Sequence, residues 1–169
     1  PTTAVAALIQ HNTSGVVSRK GEGMDTPKGM EGKKYATWNG PIELAMIQNV
    51  VEGDGGDYSK VELLPSTVTD EVSALQSKAV DAIWIFYAWA GVKMEQEGLE
   101  TDYFAFSDIN PVFDYYTPVV IANNEFLEKE PETAKKFLTA LRDGYEYLSW
   151  IPILYRQVRI ILQISIKQR

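Results

Sequence analysis

The residues best suited to chemistry are aromatic, amide and acidic side chains gathered near strand ends. Tyr35–Trp38 reads as a short strand, Asn39-Gly40 breaks it, and Pro41 stands where a helix would take its first residue. Glu43 falls in the first turn of that helix, where a carboxylate suits the positive end. A second aromatic group, Trp84, Phe86, Tyr87 and Trp89, closes the apolar run Asp81–Tyr87. A third, Phe113, Tyr115 and Tyr116, flanks Asp114. If Trp38 and Tyr87 end neighbouring parallel strands, both lie at one edge of a sheet, where open α/β folds bind ligands. Aromatic faces there clamp a flat ring. Glu43 and Asp114 would accept hydrogen bonds from its amino group, and Asn39, Asn12 and Gln10 would donate or accept. Tyr87 and Trp89, at or past the strand end, are the site candidates of their group. One of Trp84 and Phe86 is expected in the core, and interlobe packing is the alternative role for Tyr115 and Tyr116.

The elements that would carry these residues alternate between strand and helix. Ala4–Gln10 is a short apolar run, Val16–Ser18 a strand, and Arg19–Thr26 a Gly-rich charged linker. Ile42, Met46, Ile47, Val50 and Val51 recur at helical spacing after Pro41. Val61–Leu64 is a strand closed by Pro65. Thr67 or Thr69 would cap a helix over Asp70–Ser77, Ala88–Gln96 is helical, and Tyr103–Phe106 is a strand. Ile109–Asn123 is a connector kept extended by Pro111 and Pro118. Asn124 would cap a short helix. Pro131 starts a longer one with Ala134, Phe137, Leu138, Leu141 and Tyr145 on one face. This order predicts an α/β fold with a mainly parallel sheet.

Composition narrows the function classes. The chain has 169 residues, 45% of them hydrophobic and 23% charged, an ordinary globular balance. A net charge of −7 argues against a nucleic-acid partner, which wants a basic footprint. No cysteine is present, so there is no thiolate chemistry, disulfide or Cys/His zinc site. The single histidine, His11, lies in the polar turn His11–Gly15 and on pattern alone is a turn residue. Glu52–Ser59 lacks the ligand spacing of an EF-hand and reads as a solvated turn. No nucleophile-elbow, phosphate-loop, zincin or dinucleotide motif occurs. From Ser149 the chain turns basic and apolar, with Arg156, Arg159, Lys167 and Arg169 and no acidic residue, and reads as an amphipathic terminal element.

The runs TPKGMEGKKYATWNGPIELAMI, DAIWIFYAWAG and INPVFDYYTPVVIANNEFLEKEPETAKKFL resemble the NMT1/THI5-like family of substrate-binding proteins of ABC importers, nearest the branch that binds pyrimidine precursors of thiamine. The resemblance covers roughly Val5 to Leu148. It implies a type II periplasmic-binding-protein fold of two lobes closing on a ligand in the cleft. It places 1–22 in lobe I and the first crossover, 23–108 in lobe II, and 109–148 in the second crossover and return to lobe I. The resemblance makes residues 149–169 an atypical basic tail and implies that an N-terminal part of lobe I is lacking. The family's Trp-x-x-Pro-Ile-Glu motif falls on Trp38, Pro41, Ile42 and Glu43, its DYY on Asp114, Tyr115 and Tyr116, and its QHNTSG segment on Gln10 to Gly15. The ligand-binding set implied is Gln10, His11, Asn12, Trp38, Asn39, Gly40, Glu43, Tyr87, Trp89, Asp114, Tyr115 and Tyr116. The resemblance further implies a non-enzyme with no cofactor and no metal. It would lie in the periplasm or outside the cell, held at the membrane through an upstream lipid anchor, and would serve an ABC permease and its ATPase. The alternatives are a pyrimidine-phosphate synthase-like enzyme of the same family and a receptor for riboflavin or a sulfonate. Glu43 would discriminate, repelling a sulfonate and attracting an amino-bearing ring.

Overall fold

The computed structural model describes residues 1–8, 10–66 and 68–149. The expected cap at Thr67 and the expected basic tail beyond Ser149 lie outside the described residues. The chain divides into two units. Unit 1 takes Pro1–Asn12 and the chain from Asp114, and unit 2 takes Thr13–Phe113. Strand β1 (Thr2–Ala7) opens unit 1. Unit 2 follows with β2 (Ser14–Arg19), β3 (Lys34–Thr37), α1 (Pro41–Gly53), β4 (Glu62–Pro65) and α2 (Glu71–Gln76). It continues with β5 (Ala82–Phe86), α3 (Val92–Gln96), β6 (Thr101–Ala105) and α4 (Phe106–Ile109). Unit 1 resumes with β7 (Val119–Asn123), α5 (Asn124–Lys129) and α6 (Pro131–Ser149).

Unit 2 is built on a five-stranded sheet in the order β4-β3-β5-β2-β6. β3 pairs in parallel with β4 and β5, while β2 pairs antiparallel with β5 and β6. Four of the five strands therefore point one way, and β2 runs against them from the end where β5 finishes, with Ser14 opposite Phe86. Side chains alternate across the sheet, so both faces are buried. Val16, Tyr35, Ala82 and Phe104 meet Met46, Ile47, Val50 and Val51 of α1 on one face. Val17, Ala36, Ile83 and Ile85 meet Val72 and Leu75 of α2 and Met94 of α3 on the other. Each fully buried aliphatic side chain contributes about 1.5–3 kcal/mol. The expected linker Arg19–Thr26 lies within unit 2. Arg19 donates to Glu22, to Asp81 and to the carbonyls of Leu75 and Val80, tying the end of β2 to α2 and β5.

The predicted buried face of α1 holds at Met46, Ile47, Val50 and Val51 and differs at its first position. Ile42 is 75% exposed, and Glu43, at 1%, takes its place in the interior. Asp70, and not Thr69, stands at the N-cap position of α2.

Unit 1 holds the antiparallel pair β1–β7 with α5 and α6. The start of the apolar run Ala4–Gln10 falls in β1, whose residues are mostly exposed or half-buried, and the last five residues of the connector Ile109–Asn123 form β7. Asn123, one residue earlier than expected, caps α5 by accepting from the Glu125 and Phe126 amides at 2.8 and 3.4 Å. On α6, Ala134 and Leu138 are buried while Phe137 is 58% exposed.

Candidate functional site

The site is assembled at the carboxyl ends of β3 and β5. After Thr37 the chain turns through Trp38, Asn39 and Gly40 into Pro41, the first residue of α1. Asn39 adopts φ 63°, a left-handed conformation that asparagine tolerates better than most residues. Its amide donates to Thr37 Oγ1 at 2.8 Å. The Glu43 carboxylate accepts from Tyr35 OH at 2.8 Å, Thr37 Oγ1 at 2.9 Å and the Gly40 amide at 3.2 Å. This last bond is half of a capping box; Gly40 has no side chain to return it. Burial, with the bond given to Glu43, holds the Tyr35 phenol far above its usual range. Glu43, expected to meet a ligand, lies 1% exposed with its carboxylate bonded to Tyr35 and to the turn that carries Trp38.

The Trp38 ring, 55% exposed, stands edge-on to Trp84 with centroids 5.3 Å apart and planes at 71°. Trp84 rests in turn on Phe106 at 4.2 Å. Edge-to-face and tilted pairs of this kind add about 0.5–1.5 kcal/mol each beyond burial. Beyond β5 a single π-helical turn, Tyr87–Gly91, leaves Trp89 81% exposed. Trp38, Trp84, Ile85, Phe86, Trp89, Ala90 and Glu71 line a groove of about 340 Å³. Three indole rings and a phenyl ring around one open groove, with a single carboxylate in the lining, can stack a flat ring and accept a hydrogen bond from it.

Of the expected unit 2 residues, Trp38 and Trp89 meet in this groove. Asn39 and Gly40 form the turn beneath Trp38. Tyr87 is not among the lining residues: its ring packs on Tyr103 at 4.8 Å, and its hydroxyl donates to Glu95. Of Trp84 and Phe86, Trp84 packs on the core as was expected of one of them; both also line the groove, and Glu71 and Ala90 join them unpredicted.

The other expected residues lie in unit 1, where the structure brings 10–12 and 114–116 together. The Asp114 carboxylate accepts from His11 Nδ1 at 2.8 Å and from the Asn12 amide at 2.9 Å. The His11 bond, followed by that of the amide, holds the Asp114 carboxyl below its usual range. Burial raises the Tyr115 phenol against an opposing bond with Asn12. Tyr116 and Gln10 line a shallow hollow of about 220 Å³ with Ala4–Ala7 and Val119.

The family described as NMT1/THI5 like matches residues 1–152. The chain belongs to the NMT1/THI5-like family. A formylaminopyrimidine-binding protein of Halalkalibacterium halodurans is 25% identical over 153 residues, covering 88% of this chain and 44% of that relative. The chain thus spans about half the length of the curated relatives it matches. Two solved structures share the fold at low identity. The periplasmic aliphatic sulphonate binding protein SsuA from Escherichia coli superposes with a TM-score of 0.59 at 16% identity, over 95% of this chain and 55% of that one. DSZB, solved with biphenyl-2-sulfinic acid, gives 0.61 at 12% identity, over 92% and 59%. This NMT1/THI5-like chain therefore has the α/β fold of the periplasmic binding proteins.

Proposed function

We propose that this chain is part of the extracytoplasmic solute-binding component of an ABC importer and holds a small aromatic heterocycle on its indole groove. A hydroxymethyl- or formylamino-pyrimidine precursor of thiamine is the ligand class that fits. The observation that carries the reading is the groove itself, where Trp38, Trp84, Phe86 and Trp89 present apolar ring surface beside one hydrogen-bond acceptor, Glu71. The family and the name of the Halalkalibacterium relative support the same class. In unit 1, taken by itself, the His11–Asp114 pair and Tyr116 are proposed as ligand-contacting residues. The partners proposed are a permease, met on the outer side of the membrane, and the ATPase that drives that permease.

A sulfonate fits the groove poorly, because its lining offers a carboxylate and no cationic side chain among the described residues. The DSZB likeness raises an enzymatic reading; the chain holds no cysteine, and among the described residues Glu71 is the only ionisable side chain lining the groove.

Thermal-shift titration tests the proposal with hydroxymethyl-aminopyrimidine, its formylamino relative, thiamine, riboflavin and taurine. A ligand at a hundred times its Kd adds about 2.7 kcal/mol to the folded state. For a chain of this size that raises Tm by about 5–11 °C. A shift with an aminopyrimidine alone is the expected result. A shift with taurine alone would replace the pyrimidine reading with a sulfonate receptor.

A further inference from the structure

We infer that Glu43 is a positioning residue for the aromatic groove: it fixes the ring of Trp38 through the Thr37–Gly40 turn and touches no ligand itself. The inference rests on the groove being the binding surface. Its geometry is local and complete. Trp38 lies between two points that one carboxylate holds. On the N-terminal side Glu43 Oε2 accepts from Thr37 Oγ1 at 2.9 Å, and that hydroxyl oxygen in turn accepts the Asn39 amide at 2.8 Å. On the C-terminal side the same oxygen accepts the Gly40 amide at 3.2 Å. Asn39, held at φ 63°, is the residue whose backbone the turn must bend furthest. The other oxygen, Oε1, takes Tyr35 OH, which lies in the sheet and outside the turn. Glu43 is 1% exposed and Trp38 is 55% exposed, so the carboxylate acts from the interior on a ring at the surface.

Closeness of packing makes the ring sensitive to that turn. A Cβ on Gly40 would stand 2.5 Å from Trp38 Nε1 and 3.0 Å from its Cδ1, so the indole edge already lies against the backbone of residue 40. The same ring meets Trp84 at 5.3 Å between centroids. A rotation of the 37–40 backbone therefore moves the ring relative to Trp84, and the width of the groove with it. The two halves of the carboxylate separate the roles: Oε2 serves the turn and Oε1 serves the sheet.

Three conservative variants exploit that separation. Thr37→Val removes the hydroxyl that links Glu43 to Asn39. Glu43→Gln leaves one acceptor oxygen for donors that now use two. Tyr35→Phe removes a bond to the same carboxylate but leaves the turn intact, and is the control for a merely structural role. The first readout needs no ligand: the circular-dichroism exciton couplet of the Trp38–Trp84 pair, assigned by its loss in Trp38→Phe. The second is affinity for hydroxymethyl-aminopyrimidine. Thr37→Val and Glu43→Gln are expected to diminish the couplet and to weaken binding by about 3–10-fold, the value of one well-placed ring contact. Tyr35→Phe is expected to lower the melting temperature while keeping the couplet and the affinity. The inference is overturned if Thr37→Val and Glu43→Gln keep the couplet of the parent, or if Tyr35→Phe changes it equally. If the parent protein does not bind the pyrimidine, the groove reading fails while the couplet still decides whether Glu43 positions Trp38.

Discussion

Replacing Gly15 by alanine tests the architecture at its least expected point, the strand that runs against the other four. Gly15 lies in β2, opposite Ile85 of β5 and Ala105 of β6. A Cβ there would press on the Phe104 carbonyl oxygen and stand 2.7 and 2.8 Å from two carbons of the Tyr103 ring. Ordinary contact is about 3.5 Å, so the ring must retreat by roughly 0.7 Å, and the β2–β6 pair must open as well to clear the backbone carbonyl. The first response strains the bond from Tyr103 OH to the Thr13 carbonyl, 2.8 Å long, and the tilted contact with Tyr87. The second lengthens ladder hydrogen bonds worth about 0.5–1.5 kcal/mol each. Overpacking of a filled core adds about 1–3 kcal/mol. Together the loss is about 3–5 kcal/mol. In a chain of 169 residues this lowers Tm by about 6–20 °C. Urea unfolding of Gly15→Ala beside the parent, followed by far-ultraviolet circular dichroism, measures it. A loss below about 1 kcal/mol would mean that β2 does not sit tightly between β5 and β6, and the central placement of this strand would fall.

Other outcomes follow from the same structure. Trp89→Ala removes a side chain that is 81% exposed, so stability should hold within about 0.5 kcal/mol. Pyrimidine affinity should fall by about 1–3 kcal/mol, as for stacked bases elsewhere; calorimetric titration measures this, and an unchanged Kd would take Trp89 out of the site. Gly40→Ala should turn the Trp38 ring off its preferred rotamer at about 0.5–1.5 kcal/mol and shift Trp fluorescence, since the new Cβ meets Nε1 at 2.5 Å; an unchanged spectrum would contradict the packing. Asp70, bonded to Lys93 at 2.8 Å and to Ser73, has its pKa lowered to about 2. Its stabilising effect is therefore present above the usual carboxylate range and is lost as pH falls through about 2; a carboxyl NMR titration with a midpoint near 4 would show that the Lys93 contact is absent in solution. Tyr87→Phe should leave pyrimidine binding unchanged, because Tyr87 packs on Tyr103 and bonds Glu95 away from the groove, and a tenfold loss would return Tyr87 to the site.

Much of this was legible in the residues themselves. The turn at Trp38-Asn39-Gly40-Pro41 was readable because its residue types admit few other conformations: Asn39 takes a positive φ and Pro41 fits the first helical position. The burial of Glu43 was also written in the pattern, since 43, 46, 47, 50 and 51 form a cleaner helical stripe than the set beginning at Ile42. An acidic residue on such a stripe looks like a defect until its donors, Tyr35 and Thr37, are seen to project from one face of β3. Alternation along β5 likewise places Trp84 and Phe86 on one side and Tyr87 on the other. Sorting the run by distance from the strand end, which sets Tyr87 with Trp89, does not use this alternation. The direction of β2 was not legible, because a short buried apolar strand has the same composition either way up. Nor was the π turn that leaves Trp89 at the surface, which depends on hydrogen-bond spacing and not on residue type.

The path of the chain sets an order of assembly. Thr13–Phe113 is one uninterrupted segment, whereas the elements of unit 1 come from both sides of it. Asn12 and Asp114 meet at 2.9 Å although 102 residues separate them along the chain. On a ribosome, unit 2 has all of its own strands once Phe113 has emerged, while β1 must wait for β7. Bringing the ends of an unstructured loop of that length together costs about 4 kcal/mol in chain entropy. A unit 2 that is already folded has met this cost before β7 is made. β1 and β7 then pair as neighbours across a short gap, so an insertion between β3 and β6 that spares unit 2 should leave their pairing rate nearly unchanged.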